Sequence, residues 1–152
     1  MRRKDKEITE QNELEEIIKR AHVCRLAVSY EAMAYIIPMS FGYVERVLYF
    51  HSAPEGLKLS ILRENPKVSF ELEIDTQVVP GKRGCDWTMR YQSVIGFGEV
   101  EFIEEPEGKR EAMRIIMQHY TDEVGPIEDS ALSMVTLFKL NVSTMTGKKS
   151  GY

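Results

Sequence analysis

The stretch from Val47 to Leu59 constrains the fold most, because strand signals give way to helix signals within a few residues. A bulky apolar run from Leu48 to Phe50 is typical of a buried strand. Ser52 and Glu55 have the spacing of a capping box, which predicts a helix with Ser52 as its N-cap. Pro54 fits the first turn of that helix, where the missing N–H of proline costs no hydrogen bond. The sequence therefore predicts a strand that runs directly into a capped helix.

The start of this helix is a candidate anion site. A helix N-terminus presents free backbone N–H groups and a partial positive charge, and Lys58 follows one turn inside the predicted helix. These features suit a phosphate group. An ordinary strand-to-helix turn with a solvated lysine is the alternative, since most capped helices bind no anion.

Period-two alternation of apolar residues predicts several strands. From Val23 to Ser29 the alternation places Arg25 on the face opposite the apolar set. Arg25 is thus either a solvated edge residue or a cation aimed at a ligand. Pro38 removes a ladder donor from the segment from Ala34 to Tyr43, which indicates an edge strand or a bulge. Alternation resumes from Lys67 to Ile74.

The second half of the chain continues this mixture of strands and helices. Gly96 and Gly98 predict a kink or bulge in a long strand from Ser93 to Glu104. A further amphipathic helix opens at Pro106, and a last apolar strand runs from Met134 to Val142. The sum is about six strands and three helices. This composition predicts an α+β chain, mainly β, that forms an antiparallel sheet or small barrel.

Length and charge limit the class of protein. The 152 residues are expected to form one domain, 1–152, with an N-terminal arm over 1–11 and a mobile tail over 146–152. The net charge of −4 and the pI of about 5.5 argue against nucleic acid and anionic membrane surfaces as partners. No apolar run approaches the ~20 residues that span a bilayer, and we find no signal-peptide pattern. A cytoplasmic protein is therefore expected.

Residue patterns for other chemistries are weak. Neither Cys24 nor Cys85 stands at an evident helix start beside a histidine, so both are expected to be inert thiols. His22 and Cys24 form only a two-ligand fragment, and no metal site is expected. The chain has no Gly-x-Ser-x-Gly elbow and no Gly-x-Gly-x-x-Gly loop after a strand. The residues alone support an α+β barrel with one candidate anion site.

Eight sequence blocks follow one another in a recognisable order over nearly the whole chain. They are Met1–Asp5, Cys24–Ala27, Pro38–Tyr43, Leu48–Ala53, Asn65–Pro66, Cys85–Trp87, Tyr91–Gly98 and Thr146–Lys148. Their order and spacing resemble the nitroimidazole-resistance (Nim-type) branch of the pyridoxamine 5′-phosphate oxidase-like flavoproteins. The resemblance implies the FMN-binding split barrel, a six-stranded antiparallel Greek-key barrel with flanking helices. It also implies a homodimer with two flavins at the subunit interface.

The resemblance further implies which residues hold FMN. The cofactor-binding residues it implies are Arg25, Pro38, Met39, Ser40, Phe41, His51, Ser52, Lys58, Trp87, Arg90 and Ser93. Backbone from Pro38 to Phe41 would lie against the isoalloxazine ring. Lys58 would hold the phosphate together with the helix start, and Arg25 would be a second, weaker cation for it.

The remaining implied residues divide between the flavin ring and a second wall of the pocket. His51 and Ser52 would sit at the flavin, whereas Trp87, Arg90 and Ser93 would come from the neighbouring subunit or from the far wall of the same pocket. His51 occupies the position that drug-resistance members present beside the flavin. It is therefore the predicted catalytic residue, as a substrate-side group or a proton donor.

Two functions follow from this resemblance. The first is a flavin-dependent reductase, in which NAD(P)H binds transiently and FMN passes electrons to a small electrophile such as a nitroaromatic. The alternative is a non-catalytic split-barrel protein that holds flavin or haem, with His51 or His119 as the axial ligand of a haem. FAD and haem are less expected than FMN. The chain lacks the arginine-rich C-terminal signature of true pyridoxamine phosphate oxidases and ends in Lys148–Tyr152, so oxidation of vitamin B6 is not expected.

Overall fold

The computed structural model describes residues 3–152, so Met1 and Arg2 of the predicted N-terminal arm and first sequence block lie outside the described residues. The strands within this range are β1 (Glu7–Ile8), β2 (Cys24–Tyr30), β3 (Met33–Met39), β4 (Phe41–Val44), β5 (Val47–Ser52), β6 (Lys67–Val79), β7 (Thr88–Ile103) and β8 (Thr136–Ser150). The helices are α1 (Gln11–Arg20), α2 (Leu57–Glu64), α3 (Pro106–Gln118) and α4 (Asp129–Ser133). None of these helices has the length and apolarity that a bilayer crossing requires.

One antiparallel sheet contains these eight strands, in the order β3-β2-β6-β7-β8-β5-β4, with β1 added along β8. The two ends of this order, β3 and β4, are consecutive along the chain and are separated by Ser40 alone. The sequence predicts six strands, and the structure corrects that number to eight. The additional strands are the two-residue β1 and the separate β4, which arises from the break at Ser40. The mainly β, antiparallel class with flanking helices is confirmed.

Alternating side chains of the long strands fill the interior of the sheet. In β2, Cys24, Leu26 and Val28 are buried, whereas Arg25 lies on the opposite side, as the alternation predicts. The first half of β6 repeats this pattern, and α1 covers the core with its apolar stripe. We call the side of the sheet that carries Arg25 the outer face. Local periodicity is thus sufficient to assign the two faces of these strands.

Two glycines allow close contacts between backbones. A Cβ atom at Gly42 would lie 2.5 Å from the carbonyl oxygen of Ile115, so α3 rests directly on β4 at this point. A Cβ atom at Gly98 would lie 2.2 Å from the carbonyl oxygen of Asn141, and the register between β7 and β8 shifts beside it. The bulge predicted from the paired glycines is therefore confirmed.

The predicted mobile tail over 146–152 is wrong for residues 146–150. They form the end of β8 and pair with β7, and two of them also pair with β1. A Cβ atom at Gly147 would lie 2.3 Å from Leu14 Cδ2, so this segment packs closely against α1. In the N-terminal arm, Ile8 is buried against the same strand. Pairing with distant strands thus orders a segment whose basic, glycine-containing composition suggests mobility.

Candidate functional site

The predicted anion site lies where β5 leads into α2, but the helix begins later than the sequence predicts. Ser52 is buried as the last residue of β5 and pairs with Thr136, so it is not a helix cap. α2 begins at Leu57, after Gly56, whose φ of +135° is a conformation that favours glycine. Lys58 therefore lies in the first turn of α2 rather than one turn inside. This places its ammonium group at the same end of the helix as the free backbone N–H groups.

Lys58 is a half-buried cation, and no carboxylate of residues 3–152 pairs with it. Its Nζ donates to Met39 Sδ at 3.3 Å, and a thioether sulfur is a weak acceptor. Burial lowers the pKa of Lys58, because desolvation disfavours the charged form of the amine. A nearby anion would stabilise that charged form. The position therefore suits a ligand phosphate better than it suits bulk water.

His51 stands at the end of β5, with its side chain half-buried. Its Nδ1 atom is buried and has no hydrogen-bond partner in the described part of the chain. Burial, and to a smaller extent the charge of Lys58, lower the pKa of His51, so the imidazole is neutral at pH 7. An unsatisfied buried polar atom costs about 1–3 kcal/mol, which a hydrogen bond to a ligand would offset.

The segment from Pro38 to Phe41 borders this pair and spans the break between β3 and β4. Along β3, Pro38 is exposed and Met39 is buried against the core, where its sulfur contacts Lys58. Among the strands of residues 3–152, β3 pairs only with β2, so Pro38 lies on an edge strand, as its missing N–H predicts. The structure thus brings Met39, His51 and Lys58 together at the β5–α2 junction.

In the second half of this segment, Ser40 and Phe41, the backbone rather than the large Phe41 side chain would face a ligand. Ser40 is exposed at the break, and Phe41 is fully buried with its ring centroid 4.3 Å from that of His119. A ligand would therefore meet Phe41 through main-chain atoms. His119 Nε2 donates to the carbonyl oxygen of Ala21 at 2.7 Å. His119, which the sequence offers as an axial ligand for haem, is therefore committed to a protein contact.

Arg25 lies on the outer face and is already paired with two carboxylates. It is the cross-strand partner of both Pro38 and Glu71. Its guanidinium is 3.1 Å from the Glu71 carboxylate and 3.4 Å from that of Glu73. These two acidic groups balance its charge. Arg25 is therefore a weaker candidate than Lys58 for holding a phosphate.

Ser93 is separated from His51 by most of the length of β8. Ser93 pairs with Lys148 near the end of that strand, whereas His51 pairs with Leu137 near its beginning. At the usual rise of an extended strand these positions are roughly 35 Å apart along the chain. Within one chain the structure therefore does not bring Ser93 to the β5–α2 junction.

Trp87 and Arg90 lie on the same side of the molecule as Ser93 rather than beside His51. Trp87 is 55% exposed just before β7. Arg90 donates through Nε to the carbonyl oxygen of Gly151 at 3.0 Å, and its guanidinium carbon is 5.2 Å from the ring centroid of Tyr152. These three residues thus lie at and just before the first residues of β7, which pairs there with the C-terminal end of β8.

Sequence reasoning missed Tyr120 as a residue of the site. Its hydroxyl contacts the backbone N–H of Phe41 at 3.0 Å. The two residues are far apart along the chain, and no local pattern in the sequence marks such a contact. The only available signal was the position of Tyr120 at the end of an amphipathic helix.

Solved structures include proteins with the same architecture. A candidate 5-nitroimidazole antibiotic resistance protein from Bacteroides thetaiotaomicron is 38% identical, covers 94% of this chain and 86% of its own, and gives a TM-score of 0.84. A flavocytochrome from Azotobacter vinelandii is 14% identical, with 100% and 72% of the two chains covered and a TM-score of 0.86. An FAD- and haem-binding protein from Mycobacterium smegmatis is 20% identical, with 97% and 74% covered and a TM-score of 0.86. The last two similarities establish the fold alone.

Sequence comparison identifies the family. No curated protein sequence matches the chain. The family model described as pyridoxamine 5′-phosphate oxidase matches residues 10–149, which is nearly the whole chain. Together with the 38% identity to the Bacteroides protein, this match shows that the chain belongs to the pyridoxamine 5′-phosphate oxidase family.

Proposed function

We propose that this protein binds FMN and uses NAD(P)H to reduce small electrophiles such as nitroaromatic compounds. The observation that carries the proposal is a pair of half-buried groups at the β5–α2 junction, Lys58 Nζ and His51 Nδ1, neither of which has a strong protein partner among the described residues. Family membership and the identity with the candidate nitroimidazole resistance protein support the same assignment.

The residues at this junction fit a phosphorylated flavin. Lys58 and the first turn of α2 would hold the phosphate, because the ammonium group and the N-terminal end of the helix are both positively charged. The backbone from Pro38 to Phe41 would lie against the flavin ring, with Ser52 behind it at the end of β5. When bound, FMN supplies reversible hydride chemistry, which the amino acids themselves lack.

His51 would orient the substrate and hold a proton at Nδ1. Because its pKa lies below the ordinary histidine value, the imidazole is neutral at pH 7 and adds no second positive charge beside Lys58. A neutral imidazole donates or accepts one hydrogen bond at Nδ1, according to its tautomer. Either bond would also satisfy the atom that is buried without a partner.

We also propose that two copies of the chain form a homodimer that completes the site. Ser93 and the neighbouring Trp87 and Arg90 lie near the opposite end of β8 from the partner of His51. These residues would reach the flavin only from a second copy. The proposal therefore gives each flavin pocket one wall from each protomer.

Exposed apolar residues on the outer face support this assembly. Ile36 is 60% exposed and Phe97 is 55% exposed, and they lie in one cross-strand row through Ala27 and Ser69. A groove of 910 Å³ runs along the same row and includes none of the predicted site residues. Large apolar side chains exposed at the two ends of one row are typical of a protein interface.

Phe97→Lys is expected to shift the protein from dimer to monomer. In a two-fold interface the same substitution occurs on both surfaces, so it introduces two buried charges. We expect the dimer dissociation constant to rise about tenfold or more. Analytical ultracentrifugation measures this change. Met134→Lys is the matched control, because Met134 directly follows α4 and is 69% exposed. An unchanged dimer in the Phe97 variant would contradict the proposed interface.

An absorption spectrum of the purified protein tests the function directly. We expect flavin bands, or their appearance on addition of FMN, and bleaching of these bands when NADH or NADPH is added without oxygen. A nitroaromatic compound is then expected to restore the oxidised spectrum. A protein that takes up no FMN would contradict the proposal, and a Soret band would indicate haem.

The same assay separates binding from catalysis through His51. His51→Gln keeps a polar side chain and is expected to retain bound FMN. Loss of a positioned proton donor typically slows a reaction about 100-fold, so nitroaromatic reduction is expected to fall by that factor. Equal rates in the two proteins would remove His51 from the catalytic role.

A further inference from the structure

One hydroxyl group links the starts of two strands. Tyr120 Oη accepts a hydrogen bond from the backbone N–H of Phe41 at 3.0 Å and donates one to the carbonyl oxygen of His22 at 2.9 Å. Phe41 is the first residue of β4, and His22 lies just before β2. Tyr120 itself follows the end of α3. The bridge therefore connects the end of α3 to the start of β2 and to the start of β4. The start of β4 lies directly after the break at Ser40.

His119 adds a second connection at the same place. Its Nε2 donates to the carbonyl oxygen of Ala21 at 2.7 Å. Its ring lies 4.3 Å from the ring of Phe41 and 4.9 Å from that of Tyr120, measured between centroids. Because a carbonyl only accepts hydrogen bonds, Nε2 carries the proton, and Nδ1 carries none in the neutral ring. Burial lowers the pKa of His119, which favours this neutral form.

These contacts hold the chain where its strand pairing changes. Up to Met39 the chain pairs with β2, and from Phe41 it pairs with β5, so Ser40 lies between two pairing partners. Strand pairing alone leaves the angle at this break less restricted than the interior of either strand. Three hydrogen bonds and an aromatic contact from the two residues that follow α3 restrict that angle. Met39, one residue before the break, carries the sulfur that contacts Lys58.

We infer that Tyr120 and His119 are positioning residues for the segment from Pro38 to Phe41, and through Met39 for Lys58. The inference rests on the proposed function, because that segment is the one proposed to lie against the flavin. Both side chains bond to protein backbone, so they would act on the cofactor through that segment. Together they set the backbone geometry on which the flavin ring rests, and so they tune its affinity and its electronic environment.

Tyr120→Phe removes the bridging oxygen and keeps the ring. Tyr120 is 42% exposed and the substitution keeps its ring, so the protein is expected to stay folded. We expect the dissociation constant of FMN to rise about three- to tenfold, which is the usual weight of one hydrogen bond. The visible bands and reduction potential of bound FMN are expected to shift as well, which a purely structural role would not produce. Tyr30→Phe, at a partly buried tyrosine of β2, is the matched control.

A pair of substitutions at His119 provides an independent test. The amide of His119→Gln can donate to the carbonyl oxygen of Ala21, whereas His119→Ala cannot. We expect His119→Gln to retain most of the FMN affinity and the spectrum, and His119→Ala to lose affinity about tenfold. Circular dichroism and thermal unfolding identify any variant that fails to fold.

The outcomes separate this inference from the proposed function. If the wild-type protein binds FMN, and Tyr120→Phe and His119→Ala bind it with the same affinity and spectrum, the positioning role is wrong while the flavin assignment stands. If the wild-type protein binds no flavin, both are wrong. Selective loss in these two variants, with retention in Tyr30→Phe and His119→Gln, supports the inference.

Discussion

Gly42→Ala is expected to lower the free energy of unfolding by about 3 kcal/mol, the upper end of what an overpacked position usually costs. The new Cβ would lie 2.5 Å from the carbonyl oxygen of Ile115 and 2.7 Å from the backbone nitrogen of Ile116. Both atoms belong to the backbone of α3, which cannot rotate aside as a side chain does. The helix has to move away from β4, and this movement loosens the packing of two buried isoleucines.

Thermal unfolding measures this effect. For a chain of this length the expected loss corresponds to a fall in Tm of about 10 °C. Gly125→Ala is the matched control, because no atom of the described part of the chain lies within 4 Å of the Cβ it would introduce. If Gly42→Ala unfolds at the same temperature as Gly125→Ala, α3 does not rest on β4 in the way the structure shows.

The Gly42 substitution also bears on the site. Phe41 precedes Gly42, and the end of α3 carries the His119 and Tyr120 contacts to Phe41 and the start of β2. A displacement of α3 would therefore disturb the break at Ser40 together with the helix packing. The space beside Gly42 is thus occupied by the backbone of α3.

Much of the fold follows from local sequence rules. The placement of Arg25 opposite Cys24 and Leu26 needs only the period of two along a strand, and the structure agrees. Pro38 on an edge strand and the bulge beside Gly98 follow from what each residue type allows its own backbone. Such features depend on neighbours in the chain, so a single sequence contains enough information to predict them.

The features that the sequence did not predict depend on distant contacts or on one backbone angle. Ser52 has the local pattern of a helix cap, yet its pairing with Thr136 keeps it in β5, and the φ of Gly56 delays the helix. The sequence leaves the role of Arg25 open, and its charge is balanced by Glu71 and Glu73 from another strand. None of these partners lies within one turn or one hairpin of its counterpart.

The candidate site shows the same division. Lys58 contacts Met39, and His51 Nδ1 has no hydrogen-bond partner among residues 3–152. Family resemblance selects these residues around the phosphate and the ring, and that assignment stays a prediction. The distance along β8 between the partners of His51 and Ser93 appears only in the sheet register. A sequence cannot reveal that distance, because it depends on which positions of β8 pair with β5 and with β7.

Lys58→Ala is expected to weaken FMN binding by about 2 kcal/mol, or roughly thirtyfold in the dissociation constant, because a charge-assisted hydrogen bond to the phosphate is lost. Quenching of flavin fluorescence measures the affinity. Lys19→Ala is the matched control, since Lys19 is an exposed lysine in the last turn of α1. Riboflavin, which lacks the phosphate, is expected to bind Lys58→Ala and the wild-type protein equally. Unchanged FMN affinity in Lys58→Ala would remove this lysine from the phosphate site.

The pH dependence of binding gives the assignment a second, independent measure. Burial lowers the pKa of Lys58, so in the free protein the ammonium loses its proton at a lower pH than an exposed lysine does. A bound phosphate favours the charged amine and raises that pKa, so binding is strongest below the free-protein pKa and weakens as the pH rises through it. The phosphate is already fully ionised above about pH 8, so its titration does not account for a loss of affinity at higher pH. Lys58→Arg stays charged throughout this range and is expected to keep its FMN affinity where the wild-type protein loses it. Parallel pH profiles for lysine and arginine at this position would mean that another group controls phosphate binding.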